Sequence, residues 1–308
     1  MNGVLVVLKP PGPSSHEVVA RVRRLARCRR VGHAGTLDPA AAGVLPLCLG
    51  VATRLADYLH IPLKTYRFVL VLGETTPTLD QTSPVDAHVS SAHLGAPDLE
   101  GALRGFRGVI RQRVPIYSAR RKDGVRLYAY ARRGAAVEQP LTTCTIDRLE
   151  LLAWRGGPVA QACCEVACSA GTYVRALCAD IGTTLGVGGH LGALLRTRAA
   201  GIGGAECASL EEIAAWAASG DLAARLLPPE RALGFLPALA LDGPEAAGVR
   251  YGRAPGRRVP PAGAPSGEES VRLLAADGRL LAVARRRRRP GEESYALERV
   301  LVGPGEGA

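Results

Sequence analysis

The sequence predicts a mixed α/β (α+β) protein, with helices on a largely antiparallel sheet and a smaller β-rich region after it. Short apolar runs typical of strands alternate with segments that carry helix start signals. Two such runs, joined by a Gly-Gly-Pro turn at residues 156–158, predict an antiparallel pair. From about Leu239 the pattern changes to short β-like runs separated by Pro and Gly. We therefore expect two domains, residues 1–238 and residues 239–308.

The first predicted elements are a strand and a helix. Residues 4–8 are apolar and partly β-branched, which predicts a buried strand. Ser14 and Glu17 have the spacing of a capping box, and the apolar stripe after them predicts a helix. Six arginines lie between residues 21 and 30. A charge run of this kind is usually a solvated helix face, but we interpret it as a phosphate contact because it borders segment 32–39.

Segment 32–39, Gly-His-Ala-Gly-Thr-Leu-Asp-Pro, predicts a stiff turn that holds one acid, Asp38. Gly32 and Gly35 permit backbone angles that a side chain forbids, and Pro39 keeps Asp38 out of the helical region. The apolar run over residues 44–49 can anchor the turn to a core. Asp-Pro is also a common turn dipeptide, so the local pattern fits a catalytic acid and a turn former alike.

The middle of the chain predicts further strands and helices. We expect a helix over residues 51–60 and a strand over residues 64–73, with Lys64, Tyr66 and Phe68 on one face. The other expected elements are a polar loop at 74–90, a helix capped by Asp98, strands at 145–152 and 159–169, and a helix capped by Ser209.

The C-terminal region predicts a small β structure. Residues 271–274 and 280–284 are strand-like and flank a hairpin turn at 276–279, and residues 295–302 predict a last strand. The five consecutive arginines at 285–289 fit an RNA-binding surface or a disordered basic tract.

Composition indicates a polyanionic partner. The 308 residues include 39 Lys and Arg against 28 Asp and Glu, a net charge of +11. Nucleic acid fits this balance better than a membrane surface, although an Arg-rich composition bias gives the same count. None of the eight cysteines has Cys-x-x-Cys spacing, so we expect reduced thiols and no zinc ribbon. No signal peptide or apolar run of about 18 residues is evident, so we expect a cytoplasmic protein.

Segment 32–39, followed by Ala-Gly-Val-Leu-Pro at 42–46, resembles the catalytic motif of the TruB-type tRNA pseudouridine-55 synthases. Segments 8–15, 115–134, 168–182 and 189–201 resemble further stretches of the same family. Ala34 and Ala40 stand where the family usually has Thr and Leu, and Leu195 where Arg is common. The resemblance is strong over about residues 5–203 and weak beyond. There, only the position in the chain and the pattern of short β-like runs between Pro and Gly resemble a PUA-like RNA-binding β-barrel.

The resemblance implies conversion of the T-loop uridine of tRNA to pseudouridine. It implies that Asp38 is the nucleophile, that Arg175 pairs with it, and that Tyr66 stacks on the target base. Tyr66 is also a candidate for helping to remove the C5 proton, although a phenol with a pKa of about 10 is a poor base. A cation in the first turn of a helix is mildly disfavoured, which is itself a hint that Arg175 has an anionic partner. The substrate-binding residues implied are His33, at the space left by the flipped base, Tyr173 and Leu194, as walls around the base, and Lys9, which with Pro10 supports the active-site loop.

The implied reaction breaks the N1–C1′ bond, turns the base and rejoins it through C5. It has no redox step and no group donor, so we expect no cofactor and no metal. Flipping the uridine out of its stack costs roughly a few kcal/mol. Whether Asp38 attacks C1′ or removes a proton from C2′ stays open. The expected partner is the tRNA T stem-loop, with no obligatory protein partner, no membrane, and a monomeric enzyme.

Two other functions remain open at this stage. One is a guide-RNA-dependent rRNA pseudouridine synthase, and the other is a non-catalytic RNA-binding or tRNA-folding protein. A metal-dependent nuclease has no support, because no carboxylates cluster with the spacing of a two-metal site.

Overall fold

The computed structural model describes residues 1–118, 120–122, 124–133, 137–261 and 264–301. Predicted features at Ala119, Gly134 and Val302 lie outside the described residues. In chain order the strands are Gly3–Lys9 (β1), Val31–His33 (β2), Ala42–Leu49 (β3), Lys64–Leu72 (β4), Glu74–Thr75 (β5), Ala87–His88 (β6), Gly108–Arg113 (β7), Arg121–Lys122 (β8), Val125–Arg126 (β9), Leu141–Arg155 (β10), Ala160–Cys168 (β11), Gly189–Ala199 (β12), Ile202–Gly203 (β13), Ala238–Ala240 (β14), Gly267–Leu274 (β15), Leu280–Arg289 (β16) and Glu292–Val300 (β17).

Helices are fewer than strands in the described part of the chain. Those residues contain no helix with the length and apolar character needed to cross a membrane. The α-helices are Ser15–Leu25 (α1), Ala56–His60 (α2), Ala96–Arg104 (α3), Leu127–Arg132 (α4), Val174–Thr184 (α5), Leu210–Ser219 (α6), Pro229–Ala232 (α7) and Gly243–Arg250 (α8), with 3₁₀ turns at Gly50–Leu55, Gly204–Glu206 and Asp221–Arg225.

A large mixed sheet organises the first part of the chain. Its strand order is β1-β3-β12-β4-β11-β10-β7, with β2 added on β3 and β13 on β12. Every described pairing in it is antiparallel except that of β12 with β3. At this parallel pairing Arg196 lies opposite Gly43. A Cβ on Gly43 would come within 2.2 Å of the Arg196 carbonyl oxygen, so the close approach of the strands requires glycine there. The predicted mixed, largely antiparallel fold is confirmed for this part.

Helices cover different regions of this sheet. α1 and α6 bury Val18, Val22 and Ile213 with the apolar residues of β1 and β3. α3 and α5 pack Leu103 and Leu177 into a second cluster with β4 and β11. Burial of each such side chain contributes about 1.5–3 kcal/mol, so the sheet is anchored on both sides of the region where β3, β12 and β4 meet.

The predicted strands and capped helices form, but several bounds differ. β10 covers Leu141–Arg155 rather than the predicted 145–152, and β5 and β6 lie in the predicted polar loop at 74–90. The Ser14–Glu17 capping box forms and α1 follows it. α3, however, begins at Ala96 with Gly95 as its cap, and Asp98 accepts a hydrogen bond from the Gly95 N–H at 2.8 Å from within the first turn. The helix predicted over 51–60 is a 3₁₀ turn followed by the five-residue α2. The buried residues Ala52, Leu55, Tyr58 and Leu59 keep a helical spacing through both pieces.

The C-terminal strands form a second sheet in the order β14-β15-β16-β17. In the described residues this sheet is open, so the predicted barrel is not confirmed. Arginines 285–289 lie in β16 between two paired strands, and the interpretation as a disordered tract is therefore wrong. The sheet packs on the first part of the chain, where Leu280 and Val283 share a buried cluster with Leu55 and Tyr58. The Tyr58 hydroxyl also donates to Glu298 Oε2 at 3.0 Å.

Candidate active site

A cleft of about 260 Å³ opens beside the Asp38 turn. The predicted residues Asp38, Tyr66, Tyr173, Arg175 and Leu194 all line it, although they come from four separate segments of the chain. The other lining residues include Gly35, Thr36, His60, Lys64, Ser118, Arg120, Thr172 and Arg196.

The loop at residues 34–41 is braced mainly through its backbone. The Arg196 side chain is almost fully buried and donates to the carbonyl oxygens of Gly35 (3.1 Å) and Thr36 (3.3 Å) from its two terminal nitrogens. Its Nε donates to the Val44 carbonyl at 2.7 Å. One guanidinium thus ties the loop to β3, because its planar fork can reach three acceptors at once.

Lys9 and Ser15 complete this bracing from the other side of the loop. The buried Lys9 ammonium donates to the carbonyls of Pro39 (3.1 Å) and Ala41 (2.7 Å), on either side of Ala40. The Ser15 hydroxyl donates to the Leu37 carbonyl at 2.9 Å and accepts from the Leu37 N–H at 2.8 Å. The backbone immediately before and after Asp38 is therefore fixed by buried side chains.

Arg175 pairs with the Asp38 carboxylate. Its Nε lies 3.0 Å from Asp38 Oδ2, and the side chain of Arg175 is 7% exposed while that of Asp38 is 45% exposed. The other two guanidinium nitrogens donate to the carbonyls of Thr78 (3.2 Å) and Tyr117 (3.0 Å). The guanidinium is thus held by two backbone carbonyls, and its remaining nitrogen, Nε, is directed at Asp38.

A second acidic residue, Asp80, lies close to the Arg175 guanidinium. Asp80 Oδ2 is 3.8 Å from Arg175 Nε. Its other carboxylate oxygen accepts from the Thr78 hydroxyl at 2.7 Å, from the Thr82 N–H at 2.9 Å and from the Thr82 hydroxyl. Asp80 belongs to the segment predicted only as a polar loop, which the structure brings to β12 through a bridge with Leu191.

The two tyrosines of the cleft have different supports. Tyr66 lies in β4 and is buried, and this burial raises the pKa of its phenol. Tyr173 precedes α5, where the Gln112 amide accepts from its N–H at 3.0 Å and donates to its carbonyl at 3.2 Å. Burial also raises the pKa of Tyr173. Both phenols are therefore neutral apolar surfaces with a polar edge at ordinary pH, and Tyr66 is a poorer base than a free tyrosine.

Positive charge surrounds the acid in the cleft. Lys64 donates to the His60 carbonyl at 2.7 Å, and burial together with the nearby Arg196 lowers the pKa of Lys64 to about 8. Burial also lowers the pKa of His60, with the charges of Lys64 and Arg196 adding to the effect. In the described residues no group of three or more His, Cys, Asp and Glu could hold a metal ion.

Two predicted site residues are not among the residues that line the cleft. Lys9 is fully buried beneath the loop, with its ammonium on three carbonyl oxygens. His33 lies in β2 and makes an edge contact with the His16 ring, with centroids 5.3 Å apart. Burial and the neighbouring His16 lower the pKa of His33, and its Nδ1 has no hydrogen-bond partner in the described structure. Direct contact of Lys9 or His33 with a substrate stays a prediction.

Sequence reasoning missed Arg196 and Asp80. A signal for Arg196 was present, because strand alternation puts it on the same face as Leu194, two residues earlier. No local pattern identifies Asp80, because the 74–90 segment is irregular and reaches the site only through long-range contacts.

Comparison with known proteins gives two family matches. Residues 23–174 match the family described as TruB family pseudouridylate synthase (N terminal domain). Residues 175–234 match the tRNA pseudouridylate synthase B C-terminal domain. Asp38, Tyr66 and Tyr173 fall in the first match, and Arg175 and Leu194 fall in the second.

Individual relatives extend over most of the chain. A protein of Symbiobacterium thermophilum named tRNA pseudouridine synthase B is 46% identical, covering 84% of this chain and 84% of its own. One of the same name from Moorella thermoacetica is 44% identical, covering 92% of this chain and 93% of its own. Among solved structures, one titled as a Cbf5-Nop10-Gar1 complex superposes with a TM-score of 0.76 at 27% identity, covering 98% of this chain and 85% of that one.

Proposed function

We propose that this chain, which belongs to the TruB family of pseudouridylate synthases, is a tRNA pseudouridine synthase that isomerises the T-loop uridine. The observation that carries the proposal is the Asp38 carboxylate, which is 45% exposed at the cleft and lies 3.0 Å from the buried Arg175 guanidinium. The relatives named for this activity support the tRNA substrate.

In the proposed reaction, Asp38 acts on the ribose of the uridine. Its carboxylate attacks C1′, and the N1–C1′ bond breaks with its electron pair going to the uracil. The freed base turns until C5 attacks C1′, which releases Asp38 with the electron pair of the ester C–O bond. The proton on C5 then passes to solvent water, and its electron pair restores the double bond of the uracil ring. A fixed carboxylate favours this sequence because holding the reacting atoms in line removes much of the entropic barrier, and the braced loop supplies that fixation.

The other lining residues would hold the detached base. Tyr66 lines the cleft and would stack on the base, while Tyr173 and Leu194 would form walls that prevent the base from diffusing away. A cleft of about 260 Å³ lies below the ~300–1,000 Å³ of typical small-molecule sites. It suits a single extruded nucleotide and excludes a duplex, so the uridine must be flipped out of its stack. His33 is proposed to contact the strand that the flipped base leaves.

A stand-alone enzyme is favoured over a guide-dependent one. Two relatives named tRNA pseudouridine synthase B are 46% and 44% identical to this chain, against 27% for the solved chain whose title names protein partners. We propose that the chain acts as a monomer, without an obligatory protein partner, in the cytoplasm, where tRNA is found. We also propose that residues 239–308 form a PUA-like RNA-binding domain after a catalytic domain at 1–238.

Tritium release tests this function. Purified protein is incubated with an unmodified tRNA transcript that carries tritium at uridine C5, without guide RNA. We expect wild type to release tritium from the T-loop uridine and Asp38→Asn to release none. Asp57→Asn, which removes an exposed carboxylate from α2, serves as the matched control and should keep wild-type activity. Equal release by Asp38→Asn and wild type would refute the assignment of Asp38, and no release by wild type would refute the function.

Deuterium at C2′ of the target uridine separates attack at C1′ from removal of the C2′ proton. Attack at C1′ leaves the C2′–H bond intact, so the single-turnover rate should change little on deuteration. A severalfold slower rate with the deuterated transcript would show instead that Asp38 acts as a base at C2′.

A further inference from the structure

The segment that leads to the Asp38 loop carries an unbalanced positive charge. Residues 18–37 contain six arginines and no acidic residue, and all six arginines are exposed. Arg21 pairs with Glu211 at 3.5 Å, and Arg23 donates to the Val31 carbonyl. The other four have no ion-pair partner among the described residues, and we refer to them as the α1 arginine patch: Arg24, Arg27, Arg29 and Arg30.

The backbone at Arg27 is unusual for a residue with a side chain. α1 ends in a Schellman motif, in which the Cys28 N–H bonds the Arg23 carbonyl and the Arg27 N–H bonds the Arg24 carbonyl, both at 3.2 Å. Arg27 has a φ of +46°, in the left-handed region that glycine usually occupies at this position. The chain therefore keeps an arginine where glycine would be less strained, and strained positions of this kind cluster at functional sites.

The longer arginine run in β16 is different, because neighbouring strands neutralise it. Arg285 pairs with Glu298 at 2.7 Å, Arg287 with Glu268 at 2.9 Å and Arg288 with Glu293 at 2.7 Å. The fourth pair joins Arg286 to Glu269. Four of the five arginines at 285–289 thus already have a carboxylate from β15 or β17, so binding a phosphate there would require breaking an existing pair.

The α1 arginine patch lies within reach of an RNA that occupies the cleft. α1 starts at Ser15, whose hydroxyl bonds Leu37 next to Asp38, and 11 helical residues span about 16 Å. We propose, on the basis of the proposed function, that the α1 arginine patch binds the phosphate backbone of the tRNA outside the flipped nucleotide. The β16 arginines instead pair with glutamates within the C-terminal sheet. Phosphate contacts of this kind position the RNA without reading its sequence.

The test measures the salt dependence of binding, which is independent of turnover. Binding of a tRNA transcript is followed by fluorescence anisotropy at several salt concentrations for wild type, Arg27→Gly and Arg29→Gln/Arg30→Gln. Because each lost phosphate contact reduces the slope of log K against log salt by about 1, we expect reductions of about 1 and about 2. Arg287→Gln is the matched control for Arg27→Gly, since both lower the net charge by one, and it should keep the wild-type slope.

Thermal unfolding separates binding from folding in these variants. Arg27→Gly should melt at the wild-type temperature or above it, because glycine relieves the left-handed strain. Wild-type slopes in both patch variants would overturn the proposal, as would an Arg287→Gln slope lowered as much as that of Arg27→Gly. The tritium assay reports on the reaction separately, so wild type that binds through this patch but releases no tritium would refute the proposed function and leave the RNA contact standing.

Discussion

Replacing Arg196 by methionine tests the role of the buried guanidinium behind the catalytic loop. Methionine has a similar length but no donor, so Arg196→Met leaves the carbonyls of Gly35, Thr36 and Val44 without the bonds observed at 3.1, 3.3 and 2.7 Å. The Arg196 side chain is 1% exposed, so water can replace those donors only from the cleft that it borders. The substitution therefore acts on the loop backbone and leaves Asp38 itself unchanged.

The size of the effect follows from the three bonds. Hydrogen bonds to a charged group contribute about 1.5–3 kcal/mol each, and the 3.3 Å bond is the weakest of the three. Removing the guanidinium also relieves the cost of burying its charge, which offsets part of the loss. We expect the free energy of unfolding to fall by about 2–4 kcal/mol, which a domain with about 5–15 kcal/mol of stability survives.

We also expect a large fall in the single-turnover rate, because loop carbonyls without these donors let Asp38 move. A displacement of about 1 Å from the reacting geometry costs on the order of 10²-fold in rate. Urea denaturation gives the stability, and single-turnover tritium release gives the rate. Arg198→Met is the matched control, since Arg198 lies on the same strand with an exposed side chain and should change neither quantity. A wild-type single-turnover rate for folded Arg196→Met would refute the idea that this bracing matters for catalysis.

Three further predictions concern Arg175, the interface with the C-terminal sheet and Lys9. Arg175→Lys should lower the single-turnover rate on the order of 10²-fold with unchanged tRNA affinity, because one ammonium cannot meet Asp38 and two carbonyls together; an unchanged rate would contradict the pairing role. Tyr58→Phe should lower the free energy of unfolding by about 1–2 kcal/mol by removing the hydrogen bond to Glu298, and equal urea midpoints would exclude that contribution. Burial lowers the pKa of Lys9 from 10.5 to about 8. Between pH 8 and pH 10.5 the unfolded chain therefore binds more protons than the folded chain, and the contribution of Lys9 to the free energy of unfolding rises with pH. Urea titrations across this range should show wild type gaining stability relative to Lys9→Met, and a relative loss would reverse the predicted sign.

The parts of the site that could be predicted are those that local patterns or the family resemblance mark. The capping box at Ser14 and the alternation that buries Tyr66 depend on neighbours in sequence, and both occur in the structure. The pairing of Arg175 with Asp38 came from the resemblance, supported by the unfavourable position of a cation at a helix start, and the two groups lie 3.0 Å apart. Asp80 could not be predicted in the same way, because only the folding of its irregular segment onto β12 brings it to Arg175.

The pairing of charged residues is likewise hard to predict from sequence, as the two arginine clusters show. The sequence counts positive residues at 21–30 and at 285–289 but does not tell which of them remain unpaired. In β16 four of the five arginines pair with glutamates of β15 or β17, including Glu268 and Glu298, and the placement of those glutamates depends on hairpin register. Residues 18–37 contain no acid, and among the described residues the fold supplies only Glu211, to Arg21. Because register and packing decide which charges are neutralised, the α1 arginine patch is a better candidate for binding RNA than the β16 run, and the net charge of +11 does not distinguish the two.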